Sequence, residues 1–320
     1  MPGHRATPVG GPVALVGPTA SGKSALALAA ARARPGVELV SVDSMAVYRG
    51  MDIGTDKPTP AERAAVPYHL LDLVEPSEEF TVQRFQAAAD AALADIAARG
   101  GRALLVGGTG LYLRAVVDRL RIPGRWPALS AALDAEAGRP GGTARLHAEL
   151  ARLDPAAAAR IEPGNRRRVV RALEVTRGSG RPFSSFGPGL EAYPPTPVVL
   201  VGLRLDPARH DARIEARFTG LLERGLLEEV RALAAAPGGL ARTARQALGY
   251  RELLAHLEEG VPLETAVAEA LRRTRAFARR QWAWFRRDPR IRWLDPGGDL
   301  LAQLLSVLDG ARCGGAGMED

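Results

Sequence analysis

A glycine loop of eight residues near the N-terminus places the strongest constraint on this chain. Its residues, Gly17-Pro18-Thr19-Ala20-Ser21-Gly22-Lys23-Ser24, match the pattern G-x-x-x-x-G-K-[ST] in full. The apolar run 12–17 before it predicts a short buried strand, and the Ala- and Leu-rich run 24–34 has helical periodicity. Such a loop turns consecutive backbone amides around phosphate oxygens at the positive end of a helix. Lys23 then supplies a point charge, and Ser24 a hydroxyl ligand for Mg²⁺.

Further strands and helices alternate along the first third of the chain. Residues 37–42 predict a second strand that ends at Asp43, residues 80–99 predict a helix with Thr81 as N-cap, and residues 102–106 predict a third strand before Gly107-Gly108-Thr109-Gly110. This order predicts an α/β fold that resembles the P-loop NTPases, with a mostly parallel sheet flanked by helices. Ligands bind beyond the carboxyl ends of such strands, where the glycine loop, Asp43 and Thr109 all fall.

The composition changes after Leu120, where proline, glycine and alanine become frequent. We expect a core of residues 1–120 and 191–309, a mainly helical inserted subdomain at 121–190, and a disordered tail at 310–320. A strand at 198–203 returns the chain to the sheet. Helices are expected near 144–153, 166–176, 208–224, 226–235, 244–259 and 263–287.

Charge and cysteine content narrow the function classes. No apolar run reaches the ~18 residues of a membrane span, and the single cysteine, Cys313, has no partner for a disulfide or zinc site. We therefore expect a cytoplasmic protein. The net charge is +7, and arginines cluster at 166–168 and within 267–292. Such clusters are either solvated helix faces or contacts to an anionic partner such as RNA.

Two residues at the predicted ligand edge have more than one interpretation. Asp43 could be a Mg²⁺ ligand, a helix N-cap or a general base, and the sequence pattern does not separate these roles. The glycines around Thr109 either only permit a sharp connection from strand to helix, or place the Thr109 hydroxyl and nearby amides over a reacting centre.

Several runs, in this order and spacing, closely resemble the bacterial tRNA dimethylallyltransferases (isopentenyl-tRNA transferases). The resemblance spans residues 12–295. The runs are the glycine loop, Ser41-Val-Asp-Ser-Met-Ala-Val-Tyr48, Asp52-Ile-Gly-Thr55 with Lys57-Pro58, His69-Leu-Leu-Asp72, Gly107-Gly-Thr-Gly-Leu-Tyr112, Arg171-Ala-Leu-Glu-Val175, Gln246-Ala-Leu-Gly-Tyr-Arg251 and Arg279-Arg-Gln-Trp282.

The resemblance implies transfer of a dimethylallyl group from dimethylallyl diphosphate to the exocyclic amine of an adenine. That adenine lies immediately 3′ of the anticodon, in tRNAs that read codons beginning with U, and diphosphate is released. By the same resemblance, Thr19 to Ser24 hold the diphosphate and Ser24 holds Mg²⁺. Asp43 is the general base, Thr109 contacts the reacting region, and Arg231 pairs with the diphosphate.

The resemblance also implies contacts with the tRNA anticodon stem-loop. We expect Trp282, Trp284 and Phe285 to serve core packing more than base stacking. Ser130 stands where many relatives carry an arginine. The residues in the matching segments are Asp43, Ser44, Met45, Ala46, Thr109, Ser130, Arg167, Arg168, Val169, Val170, Arg171, Gln246, Ala247, Leu248, Gly249, Tyr250, Arg251, Arg279, Arg280, Gln281, Trp282, Ala283, Trp284, Phe285 and Arg286.

Three other functions share some of these features. A P-loop kinase would use the same loop, carboxylate and Mg²⁺, but would bind ATP and transfer phosphate. An adenylate isopentenyltransferase would prenylate a small nucleotide, although the arginine clusters favour tRNA. A nucleotide-dependent RNA-binding switch would need no base such as Asp43. In each case a monomer is the simplest expectation.

Overall fold

The computed structural model describes residues 11–204 and 206–310. The tail expected at 310–320 lies outside the described residues except for Gly310. Within the described part, the chain forms two compact units. The core unit runs to Asp118 and resumes at Pro195, and the insertion unit is Arg119–Pro194.

A parallel sheet forms the centre of the core unit, which confirms the α/β class. Six strands are described, in the order β3-β2-β4-β1-β5-β6, and every pairing is parallel. The short strands β3 and β6 were not predicted, because each is too short to show a period. The strands are β1 (Val13–Val16), β2 (Val37–Val42), β3 (Tyr68–His69), β4 (Arg102–Gly107), β5 (Val199–Leu203) and β6 (Arg292–Leu294).

The helices of the core unit flank this sheet. The arm expected at 244–259 is two helices, interrupted at Gly249, where φ is +87°. The helices are α1 (Lys23–Ala33), α2 (Pro60–Ala65), α3 (Val82–Ala98) and α4 (Gly110–Val117), then, after the insertion, α9 (Pro207–Glu223), α10 (Leu226–Ala235), α11 (Arg242–Arg245), α12 (Tyr250–Glu259), α13 (Leu263–Phe285) and α14 (Leu300–Leu308).

The insertion unit is helical and has its own core. Val169, Leu173 and Leu146 are buried in that core, at the apolar positions of its helices. Its elements are α5 (Pro127–Ala137), α6 (Gly142–Leu153), α7 (Pro155–Ala158), α8 (Arg166–Ser179) and a 3₁₀ turn (Phe183–Phe186).

Both faces of the sheet are buried, as a parallel sheet requires. Side chains along β1 alternate between the faces: Val13 and Leu15 pack with α1 and α14, and Ala14 and Val16 pack with helices of the other layer. The alternation follows from the two-residue period of a strand. Because both faces are buried, the strands are nearly continuous apolar runs in the sequence.

The register brings the carboxyl ends of three strands to one point. Val16, the last residue of β1, pairs with Gly107 of β4, and Gly107 also pairs with Val42 of β2. The glycine loop, Asp43 and Thr109 therefore begin at the same edge, as expected. Gly107 permits this convergence, because a Cβ there would lie 2.1 Å from the Val42 carbonyl oxygen.

Gly107→Ala should therefore destabilise the core unit by ~1–3 kcal/mol or more, because neither strand can move away from the added methyl group without breaking the ladder. Thermal unfolding followed by circular dichroism measures this loss. Gly220→Ala is the matched control, because Gly220 lies inside α9 with open space around it. That control should keep or raise stability, by about 0.5–1 kcal/mol. Equal melting temperatures for Gly107→Ala and the unmodified protein would contradict the packing argument.

Candidate functional site

The glycine loop connects β1 to α1 in a conformation that few residues adopt. Gly22 and Ala20 both have left-handed φ, at +89° and +59°. α1 has no side-chain cap and no acidic residue in its first turn. The Ser21 hydroxyl is buried and has no hydrogen-bond partner among the described residues. Open amides and an orphaned hydroxyl at a helix N-terminus fit a bound anion.

Lys23 is the cation of this loop, and the described residues offer it no ion pair. Its Nζ donates to the Pro18 carbonyl oxygen at 3.3 Å. Burial lowers the pKa of Lys23 from 10.5 to about 8, although the nearby Asp43 carboxylate opposes the change. A desolvated ammonium of this kind gains most from an anionic ligand.

Thr19 is held by three side chains from distant parts of the chain. Its N–H donates to Gln281 Oε1 at 2.8 Å, and its carbonyl oxygen accepts from His210 Nε2 at 2.6 Å. Its hydroxyl oxygen lies 3.5 Å from Arg217 Nη1. Helices α9 and α13 therefore fix the start of the glycine loop.

Asp43 follows β2 with one of its carboxylate oxygens engaged. Oδ1 accepts from the backbone N–H groups of Met45 at 2.7 Å and Ala46 at 3.3 Å. No helix begins after Asp43, so the helix N-cap interpretation is wrong, although the carboxylate does bind backbone amides as a cap would. The described residues give Oδ2 no hydrogen bond, which leaves it available to a ligand.

The loop and Asp43 line one cleft of about 590 Å³ in the core unit. Lys23, Ser24 and Asp43 line it together with three arginines of the α9 region, which are Arg213, Arg217 and Arg224. The lining also includes Lys57, Asp56 and Glu62, so its basic side chains outnumber its acidic ones by five to three. This charge arrangement favours a phosphate-bearing ligand.

Arg217 and Arg224 share Asp56 as a partner. Arg217 Nε lies 3.1 Å from the Asp56 carboxylate, and Arg224 Nη2 lies 2.6 Å from it. Burial alone would raise the pKa of Asp56, but the two guanidinium groups outweigh it and hold that pKa below its usual range. Asp56 thus fixes two of the arginines that line the cleft.

Arg231 does not occupy the position expected for it. Its side chain on α10 is 55% exposed, pairs with Glu228 at 3.8 Å and does not line the cleft. The chain turns at Gly225, where φ is +94°, so α10 presents a different face from α9. Arg217 lines the cleft instead.

The glycines around Thr109 serve close packing. Neither Gly108 nor Gly110 has a positive φ, but a Cβ on Gly108 would lie 2.3 Å from Gln281 Nε2. A Cβ on Gly110 would lie 2.3 Å from Trp284 Nε1. Thr109 begins α4 without a side-chain cap, and it does not line the cleft. The structure thus places Thr109 at the sheet edge but not within the cleft.

A residue that sequence reasoning missed holds the loop at 52–54. The Glu229 carboxylate accepts from the N–H groups of Asp52, Ile53 and Gly54 at 2.7–3.1 Å, and from the Tyr250 hydroxyl at 2.5 Å. The only sequence signal is an acidic residue in the first turn of α10, which is common on helices.

Lys57 has a structural role. Its buried Nζ donates to the Tyr48 carbonyl oxygen and to the carboxylates of Asp52 and Asp72, all within 2.7 Å. With every donor engaged inside the fold, Lys57 has none left for a ligand.

The segments expected to contact RNA contain two kinds of residue. The members with buried side chains are Ala46, Val169, Val170, Ala247, Tyr250, Gln281 and Phe285. Trp282 packs on Trp293 with ring centroids 4.9 Å apart. Packing thus explains these aromatic side chains, as expected. The exposed members are Arg167, Arg168, Gln246, Arg251, Arg279, Arg280 and Arg286.

Neither a metal-ligand cluster nor a membrane-spanning helix occurs in the part of the chain that the structure describes. No group of three or more His, Cys, Asp or Glu side chains could hold a metal ion there. No helix of that part is long and apolar enough to cross a membrane.

Comparisons with known proteins agree on one family. The sequence model described as "IPP transferase" matches residues 46–288. A "tRNA dimethylallyltransferase" of Kineococcus radiotolerans is 50% identical over 307 residues, covering 92% of this chain and 96% of the relative. A protein of the same name from Salinispora arenicola is 50% identical over 300 residues, covering 93% and 86%.

Solved structures that are similar to this chain carry related names. The tRNA isopentenylpyrophosphate transferase of Bacillus halodurans is similar with a TM-score of 0.67 and 36% identity, covering 94% of this chain and 96% of that one. A eukaryotic dimethylallyltransferase acting on tRNA has a TM-score of 0.76 at 26% identity, covering 95% and 80%.

The positions of the two arginines give a direct test. Arg217→Ala should weaken the binding of inorganic pyrophosphate with Mg²⁺ by roughly 10- to 100-fold, since a charge-assisted hydrogen bond contributes about 1.5–3 kcal/mol. Arg231→Ala removes the same charge outside the cleft and should change the affinity less than about twofold. Isothermal titration calorimetry measures both. A loss confined to Arg231→Ala would restore the role expected from the sequence.

Proposed function

The chain belongs to the IPP transferase family, and from this premise we propose that it is a tRNA dimethylallyltransferase. It transfers the dimethylallyl group of dimethylallyl diphosphate to the exocyclic amine of the adenine 3′ of the anticodon, in tRNAs that read codons beginning with U. One observation carries the proposal: the carboxylate of Asp43 and the open glycine loop line the same cleft. A base and an anion cradle on one surface suit a transfer that removes a proton and releases diphosphate.

The glycine loop binds the diphosphate of the donor. Lys23 and Arg217 are the side chains of the cleft that would contact its oxygens, together with the backbone amides of the loop. As the allylic C–O bond breaks, negative charge accumulates on the leaving diphosphate. Fixed cations and amides in the cleft stabilise that charge and lower the barrier.

Mg²⁺ fits the oxygen donors of this cleft. The Ser24 hydroxyl, which lines the cleft, would hold the ion, and the diphosphate would supply further oxygens. When bound, the ion neutralises charge on the departing diphosphate.

Asp43 acts as the general base toward the adenine amine. That amine is a weak nucleophile, because its lone pair is delocalised into the ring. As the N–C bond forms and the C–O bond breaks, the amine loses a proton to Asp43 Oδ2, while the backbone amides of Met45 and Ala46 hold Oδ1. Contact of Thr109 with the reacting region stays a prediction, because Thr109 follows β4 at the sheet edge and does not line the cleft.

The tRNA anticodon stem-loop is held by the exposed arginines. RNA is bound mainly through phosphates and shape, which suits Arg167, Arg168, Arg279 and Arg280. The target adenine leaves its stack to reach the cleft, at a cost of about a few kcal/mol. Contacts by Ser130 and by the remaining insertion residues stay predictions, as do a monomeric state and a cytoplasmic location.

Neither a kinase nor an adenylate isopentenyltransferase is favoured by any specific observation. The relatives at 50% identity carry the name of a transferase acting on tRNA. The exposed arginines exceed what a small nucleotide needs.

The proposed activity is tested by incubating the protein with unmodified tRNA, Mg²⁺ and dimethylallyl diphosphate. Nucleoside mass spectrometry should find one dimethylallyl group on adenosine. Asp43→Asn should lower kcat by roughly 10²–10⁴-fold, because it removes the base. Its affinity for inorganic pyrophosphate should stay nearly unchanged. A kcat near that of the unmodified enzyme would remove Asp43 as the base, and product formed only with ATP and a nucleotide acceptor would indicate a kinase.

Donor binding should depend on pH through Lys23. Its pKa near 8 means that the ammonium loses its proton as the pH rises from 7 to 9. The donor's phosphates complete their ionisation near pH 6, so above pH 7 only the enzyme's charge changes. The KM for dimethylallyl diphosphate should rise several-fold over this range. Lys23→Arg keeps its charge, and its KM should be flat over the same range, whatever its absolute value. Equal slopes for the two proteins would contradict this assignment.

A further inference from the structure

We propose that Gln281 is a positioning residue that couples the tRNA-binding end of α13 to the diphosphate loop and to the turn that bears Thr109. The inference rests on the proposed function. Through Gln281, the binding of tRNA would strengthen the binding of the donor, and the reverse, although the side chain itself would touch neither substrate.

One buried amide connects the two segments. Gln281 Oε1 accepts from the Thr19 N–H of the glycine loop at 2.8 Å, and Gln281 Nε2 donates to the Gly108 carbonyl oxygen at 2.8 Å. The side chain is 7% exposed. Only one orientation of the amide satisfies both partners, because the Thr19 N–H needs an acceptor and the Gly108 carbonyl needs a donor. Gln281 therefore fixes the distance between the donor loop and the end of β4.

Gln281 and its neighbour Trp284 pack tightly against the turn that bears Thr109. Gly108 and Gly110 have no side chains, and Gln281 and Trp284 occupy the space that a Cβ at these positions would need. A shift of α13 by a fraction of an ångström would therefore reach both segments, since packed interiors transmit strain.

The same helix end carries the cations proposed to bind RNA. Arg279 and Arg280 directly precede Gln281 and are exposed. RNA held by these arginines restrains the last turns of α13, and with them the Gln281 amide. If one substrate has already restrained these segments, the other binds without the entropic cost of restraining them. The two substrates therefore bind cooperatively.

Thr19 is the point at which this restraint meets donor binding. Its carbonyl and hydroxyl oxygens are contacted by His210 and Arg217 of α9, so the Gln281 bond completes the anchoring of the residue. Arg217 is also the arginine proposed to bind the diphosphate. A displaced Thr19 would therefore misplace the loop relative to that guanidinium group.

The test measures coupling between ligands without turnover. The Kd of inorganic pyrophosphate, with Mg²⁺, is determined by calorimetry in the absence and presence of saturating unmodified tRNA. In the unmodified protein, tRNA should tighten pyrophosphate binding about fivefold or more, and pyrophosphate should tighten tRNA binding by the same factor. Gln281→Met keeps the length of the side chain but forms neither hydrogen bond. It should bind each ligand alone within about threefold of the unmodified protein and show a coupling factor near 1.

Two further variants separate positioning from loss of structure. Gln281→Glu keeps the acceptor for Thr19 but loses the donor to Gly108, so it should also lose coupling, and it decides the question if Gln281→Met does not fold. Arg279→Gln with Arg280→Gln should weaken tRNA binding and leave the pyrophosphate affinity of the RNA-free protein unchanged. In steady-state assays at saturating substrates, Gln281→Met should lower kcat more than it raises the KM of tRNA.

Coupling that persists in Gln281→Met, or that is absent from the unmodified protein, overturns the inference. If that unmodified protein still prenylates tRNA, the proposed function stands. Failure to bind or prenylate tRNA at all would instead overturn the proposed function.

Discussion

The parallel pairing of β2, β4 and β1 is the constraint on which the site depends. Because Val16 and Val42 both pair with Gly107, three strands end at one point. The loop after each strand then starts within reach of the other two. That register brings the glycine loop, the Asp43 carboxylate and the turn at Thr109 to one edge of the sheet. A slip by one residue would move every side chain of a strand to the opposite face.

The chain has two lysines, and they show how environment separates structure from chemistry. Lys57 is surrounded by a carbonyl and two carboxylates, which use its charge inside the fold. Lys23 donates one hydrogen bond, to a carbonyl oxygen at 3.3 Å, and burial lowers its pKa. Both lysines lie in segments that match the family, and only their contacts distinguish the structural lysine, Lys57, from the proposed binding group, Lys23.

Sequence reasoning predicted the strand, loop and helix around Lys23, the position of Asp43 at the sheet edge, and the α/β class. These features are local, since they depend on period, glycine placement and the end of an apolar run. The family resemblance assigned the diphosphate contact to Arg231, whereas Arg217 is the arginine that lines the cleft. Both lie on amphipathic helices, and helical spacing alone does not say which face meets the cleft. The hydrogen bonds of Glu229 and Gln281 could not be predicted locally, since the backbone groups they bind include those of Gly54 and Thr19, 175 and 262 residues away in the chain.

The anchoring of Thr19 has a consequence for synthesis of the chain. The glycine loop leaves the ribosome before the helices that anchor it, since the side chains that fix Thr19 come from residues 210, 217 and 281. A nascent chain that ends before α13 contains the whole loop motif but lacks the bond that spans 262 residues. Because domains are made from the N-terminus onward, the nascent chain can fix its phosphate cradle only after residue 281 has been translated.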